Sequence, residues 1–196
     1  MESSEEPLTG EQSLLIISEM IQAAKSEISD NGFFYLLWGW LVFVASLGQY
    51  VLLYLLHSSY NWVPWAVLMP LGVIVSRVYG SRLKKKKKVK TFLDQFMSYA
   101  LVAFLVSLFT VLFYMGITNS PSLAYPLIMM VYGAWLFISG GALKFKPLLI
   151  GGCINWALSF CAMFVGFQWQ LLILAMAVLL GYIIPGHMLR AAYKQQ

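Results

Sequence analysis

Chemistry in a protein needs titratable, nucleophilic or metal-binding side chains that can be brought within reach of one another. This sequence holds few of them, and they are scattered. Its two histidines, His57 and His187, fall in different segments. Cys153 and Cys161 are eight residues apart, about 12 Å along a helix axis. That is beyond the reach of a disulfide, so they are expected to pack as small apolar side chains. Seven of the eight acids (Glu2, Glu5, Glu6, Glu11, Glu19, Glu27 and Asp30) precede residue 32, and Asp94 is the eighth. The sequence shows no His-Glu-x-x-His pattern, no phosphate-cradling glycine loop and no acid–base pair. The expectation is a chain that is not an enzyme and that holds neither metal nor cofactor.

What remains is a small set of polar residues within long apolar stretches. Asn155 follows Gly151-Gly152-Cys153. An amide in hydrocarbon must find a partner, usually on another helix, and the glycines let that helix come close. Two roles fit Asn155: a structural bond between helices, or a polar group lining a solute cavity. Gln49, with Ser46, Ser107, Thr110 and Ser139, could supplement either. Asp94 stands beside an apolar segment. Intramembrane acids bind ions or relay protons, whereas an acid in the first turn of a helix complements the helix dipole. The expected depth of Asp94 is interfacial, facing the neighbouring lysines, which favours the dipole role.

The elements that must position these residues are membrane helices. Apolar residues make up 60% of the 196-residue chain and charged ones 11%, against about 45–50% and about 25% in soluble domains. One water-soluble core could not bury such a surface. Six apolar segments are each about long enough to cross a bilayer. They cover residues 33–56, 62–79, 92–117, 123–143, 147–166 and 170–189. Pro70 should kink the second, and Pro185-Gly186 should weaken the end of the sixth. The fold class is therefore all-α: a six-helix polytopic bundle. Loops this short imply that consecutive helices are antiparallel neighbours.

Ahead of the bundle, Leu14, Ile17, Ile21, Ala24 and Ile28 recur at spacings of three and four. They form one stripe of a short amphipathic helix within an acidic segment, residues 1–32. Nothing at this acidic N-terminus has the form of a cleavable signal peptide. The membrane domain then occupies 33–189 and a short tail 190–196. Between the second and third segments lies the run Arg82, Lys84, Lys85, Lys86, Lys87, Lys88 and Lys90, seven of the thirteen basic residues. Such a run stays cytoplasmic and orients the helices around it. Alternation then puts Lys144, Lys146, Arg190 and Lys194 on the same side, while loops 57–61, 118–122 and 167–169 contain no Lys or Arg. Both termini are thus expected in the cytoplasm. The clustered lysines point to anionic lipid rather than nucleic acid. Tyr54, Tyr60, Trp62, Trp65, Tyr125 and Trp169 are expected in an outer aromatic belt, and Phe33, Phe34, Tyr35 and Trp38 in an inner one.

The stretches Gly133-Ala134-Trp135-Leu136-Phe137-Ile138-Ser139-Gly140-Gly141-Ala142-Leu143-Lys144-Phe145-Lys146-Pro147 and Tyr182-Ile183-Ile184-Pro185-Gly186-His187 resemble an uncharacterised group of small bacterial integral membrane proteins. The resemblance implies a bacterial cytoplasmic membrane and carries no activity or site residue. The function expected from the residues is a non-enzymatic, partner-binding or regulatory membrane component. Its partners would be membrane lipids, a cytoplasmic protein held by the N-terminal helix, and further copies of itself in a homo-oligomer. The alternative is a small-solute transporter or channel.

Overall fold

A computed structural model describes residues 32–86, 92–118 and 121–194. The stripe from Leu14 to Ile28, and Lys87, Lys88 and Lys90, lie outside the described residues. All the regular structure described is helical: α1 (Gly32–Leu55), α2 (Val63–Lys86), α3 (Phe92–Thr118), α4 (Pro121–Ala142), α5 (Lys146–Ala162), α6 (Phe167–Val178) and α7 (Ile184–Lys194). A π turn, Leu179–Ile183, joins α6 to α7 in one rod, and another, Val51–Leu55, closes α1. Five helices are long and apolar enough to cross a membrane: Gly32–Leu55, Val63–Leu83, Phe92–Thr118, Ser122–Ala142 and Phe167–Ala192. α5 is shorter, with 17 residues.

The boundaries follow local chemistry. Proline opens α4 at Pro121 and lies at the start of α5 at Pro147, where its missing N–H costs nothing. α4 ends at Gly140-Gly141-Ala142. The chain then turns through Lys144, whose φ is 53°, and the Phe145 N–H donates to the Gly140 carbonyl over 2.9 Å. This is a left-handed helix cap made without glycine.

Two boundaries differ from the sequence expectation. α2 does not stop near Tyr79 but continues to Lys86, taking Arg82, Lys84, Lys85 and Lys86 into the helix. Lysine is a good helix former, and nothing between Ser81 and Lys86 interrupts the ladder. Nor do Pro185 and Gly186 weaken the end of the last helix, which runs through them to Lys194. A π turn lies just before Pro185, with the Ile184 N–H reaching back five residues to the Leu179 carbonyl.

The core is made by α1, α4, α5 and the α6–α7 rod. α4 and the α6–α7 rod are the most buried of the five long helices, and α5 packs one face against them. Its buried residues, Leu148, Gly151, Gly152, Asn155, Ser159 and Ala162, form one stripe at helical spacing. α2 leans on α1, where Phe33 stacks on Tyr79 at 4.0 Å between ring centroids. α3 leans on α4, through Phe104 against Tyr132 and Trp135. α2 and α3 are consecutive yet pack on different helices, so the expected pairing of neighbours fails at this step. Helix association in lipid depends on close backbone approach. Gly72 of α2 is filled by Leu41 and Trp38 of α1, and Gly116 of α3 has open space beside it.

Candidate functional site

The contacts between helices gather the described basic residues at one end of the bundle. Gly32, at the start of α1, lies against Arg190 near the end of α7. Phe33 meets Tyr79, just ahead of Arg82 on α2. Tyr35 meets Ser139, close to the turn that carries Lys144 and Lys146. At the opposite end of α1, Gln49 is buried and sits in a polar cluster. Its Oε1 accepts from Trp65 Nε1–H at 2.6 Å and from the Tyr125 hydroxyl at 2.5 Å. Its Nε2 faces Asn61 Oδ1 at 3.4 Å. Tyr125, expected in the outer aromatic belt, is instead 3% exposed. A tyrosine can be buried when its hydroxyl finds a partner, and Gln49 is that partner.

Between these ends lies a sequence of buried amides and hydroxyls. Asn155 is fully buried in the middle of α5. Its Nδ2 donates to the Ala177 carbonyl at 3.1 Å, across to α6, and to Gly151 of its own helix at 2.9 Å. Ser46 donates from α1 to the Leu171 carbonyl of α6 at 2.6 Å. Ser159 donates from α5 to the Pro126 carbonyl of α4 at 2.7 Å. Gln170 Nε2 donates to the carbonyls of Ser122 at 2.7 Å and Ala162 at 3.0 Å.

The last pair has a specific cause. Pro126 lies inside α4 and has no N–H, so the carbonyl four residues earlier, at Ser122, loses its usual helical donor. Gln170 supplies one. Pro185 likewise has no N–H to give to the preceding turn, and in that turn the Gly181 carbonyl oxygen faces Gly151 of α5, where a Cβ would stand 2.9 Å from it. Gly133 and Gly152 make a similar close contact between α4 and α5. Small residues thus bring the backbone of α5 close to α4 and to the π turn.

Beside this seam, Tyr182 of the π turn lies between Tyr35 of α1 and Tyr132 of α4, with ring centroids 6.3 and 5.6 Å away. The Tyr182 hydroxyl and Asn155 Oδ1 here have no protein partner, and nor does Gln170 Oε1, nearer the start of α6.

The three polar candidates from the sequence do not converge. Gln49 is at one end of the bundle, Asn155 is in the middle, and Asp94 is in the first turn of α3 at the basic end. Ser46 and Ser139 are buried. Ser107 and Thr110 are exposed on α3, each bonded to its own helix. Cys153 and Cys161 are free and exposed rather than packed, because the buried stripe of α5 passes through Gly151, Gly152 and Asn155. Among the described residues no group of three or more His, Cys, Asp or Glu could hold a metal.

Sequence reasoning missed Tyr125, Tyr132, Tyr182, Ser159 and Gln170. Only Pro126 offered a signal, since the Ser122 carbonyl four residues before it loses its helical donor and draws on one from elsewhere. Comparison with known proteins finds no match: no family model, no curated protein and no solved structure matches this chain.

Proposed function

We propose that this chain is a membrane component with six spans that acts by binding rather than by reaction. The observation that carries this is how the interior polar groups are used. Ser46, Asn155, Ser159 and Gln170 all donate to backbone carbonyls of neighbouring helices. They hold the bundle closed, and the buried polar residues described are amides and hydroxyls with no charged group among them.

α5 is the sixth crossing. Its 17 residues are at the short limit of the range, about 17–25, that spans a bilayer. The gathering of Arg82, Lys144, Lys146 and Arg190 at one end supports a cytoplasmic position for that end and for both termini. The resemblance to small bacterial membrane proteins supports a bacterial cytoplasmic membrane. The acidic segment 1–32 is then the handle for a cytoplasmic protein. The outer face of α3, with Phe96, Tyr99, Phe109 and Phe113 exposed, meets lipid or a second copy of the chain. Cross-linking in native membranes, followed by purification and mass spectrometry, tests the binding role. A stoichiometric soluble partner that is lost when residues 1–31 are removed is the expected result. No such partner, with or without the segment, would contradict it.

A second reading is a small-solute carrier, favoured by one observation: the unpartnered Asn155 Oδ1, on a side chain packed against Gly181 and so beside Tyr182, whose hydroxyl is also unpartnered, could accept from a small polar solute. Flux from reconstituted vesicles that falls in a folded Asn155→Leu variant would support this reading over the first.

A further inference from the structure

α1 has a close glycine contact on each side. Gly186 of α7 packs on Leu36, where a Cβ would stand 3.0 Å from the leucine side chain, and Gly72 of α2 packs on Leu41 and Trp38. Between α2 and α7, the outward face of α1 lines a groove of about 390 Å³. That volume lies within the range of about 300–1,000 Å³ usual for small-ligand sites. Its long wall is apolar: Leu37, Trp40, Leu41 and Val44 of α1, with Leu68 of α2. Its end is polar, where His187 and Arg190 of α7 complete the lining. The two are three residues apart and share a helix face.

We propose that this groove binds one anionic phospholipid of the leaflet at the basic end, with its phosphate at Arg190 and His187 and one acyl chain along α1. Three observations carry the assignment. The first is charge: a guanidinium matches two phosphate oxygens in a planar fork, and an imidazole N–H adds a donor. The second is length. From Phe33, beside the polar end, to Val44 is about 16 Å along the helix, close to half of a hydrocarbon core of about 30 Å. One chain of one leaflet fits that depth. The third is contrast. A second groove, lined by Val165, Trp169, Leu172, Ile173 and Met176 of α6 and the turn before it, is apolar throughout and has no cation to hold a headgroup.

The proposal rests on the membrane reading above but not on which end faces the cytoplasm, because the test supplies lipid in both leaflets. The full chain is reconstituted in vesicles carrying a trace of photoactivatable phosphatidylglycerol or, separately, phosphatidylcholine with the same chains. Labelled peptides are then mapped. Phosphatidylglycerol should label the segment from Phe33 to Val44 several-fold more than phosphatidylcholine. Arg190→Gln should cut that excess about fivefold, the effect of about one interfacial cation. Leu37→Trp, which fills the groove, should reduce labelling of this segment by both lipids and leave labelling of α3 unchanged. Equal labelling by the two lipids, or an excess indifferent to Arg190→Gln, would overturn the proposal. So would phosphatidylglycerol labelling that emerges only when residues 1–31 are removed, which would give the groove to the acidic segment. Absence of label on α3 as well as on α1 would instead contradict the membrane reading, and the proposal with it.

Discussion

Gln170 and Pro126 act as a pair although they lie on different helices. The proline deprives Ser122 of its helical donor, and the glutamine amide makes up for it at 2.7 Å. Gln170→Leu removes that bond and the one to the Ala162 carbonyl and should cost about 1–3 kcal/mol. Pro126→Ala restores the missing N–H, so the double variant should lose less than the sum of the two single changes. Reversible unfolding in mixed detergent micelles measures all three, and strict additivity would contradict the pairing. Asn155 makes one bond across to α6, and such interhelical bonds average about 0.6 kcal/mol. Asn155→Leu should therefore cost about 0.5–2 kcal/mol in the same assay, with the protein still folded. Lone amides such as Asn155 and Gln49 stand out in an apolar sequence, so their need for partners was legible there. The partners were not. Ala177 and Gly151 offer backbone carbonyls, which every residue has, and Tyr125 carries the same residue type as an interface aromatic.

The glycine contacts decide how the helices sit. A methyl group at Gly151 would meet the Gly181 backbone at 2.9 Å, and one at Gly181 would collide with the Asn155 amide. Gly116 on α3 has nothing within 4 Å of such a methyl. Gly151→Ala should then lower stability by about 1–3 kcal/mol, the usual cost of overpacking. Gly116→Ala should leave it unchanged or raise it by up to about 1 kcal/mol, through helix propensity alone. Thermal unfolding of the two variants side by side is the check, and equal stability would mean that α5 is not held by its glycine seam. Apolar run lengths made the membrane helices readable from the sequence within a few residues at most ends. The run of α2 into the lysines and the passage of the last helix through Pro185 were not readable. The first rests on lysine's own helix propensity, which its charge obscures. The second rests on a π turn packed against α5, a long-range contact with no local pattern.

At the scale of the molecule, one end of the bundle is basic, the middle is closed by uncharged polar bonds, and α2 and α3 lie on the outside. The sequence placed the basic residues by alternation of spans, and the helix contacts bring Arg82, Lys144, Lys146 and Arg190 to one end. The cytoplasmic partner proposed for segment 1–32 depends on that end facing the cytoplasm, and the six-span reading depends on the short α5 crossing the bilayer. Cys153 and Cys161 are exposed on α5, so replacing both with alanine should be tolerated and give a background for single-cysteine labelling. New cysteines at Lys146, at the start of α5, and at Gly166, just beyond its end, flank the one helix whose length is marginal. With a membrane-impermeant maleimide on intact cells, six crossings predict labelling of Gly166→Cys and none of Lys146→Cys until the membrane is opened. Labelling of both from outside, or of neither, would contradict the crossing of α5, and labelling of Lys146→Cys alone would reverse the orientation.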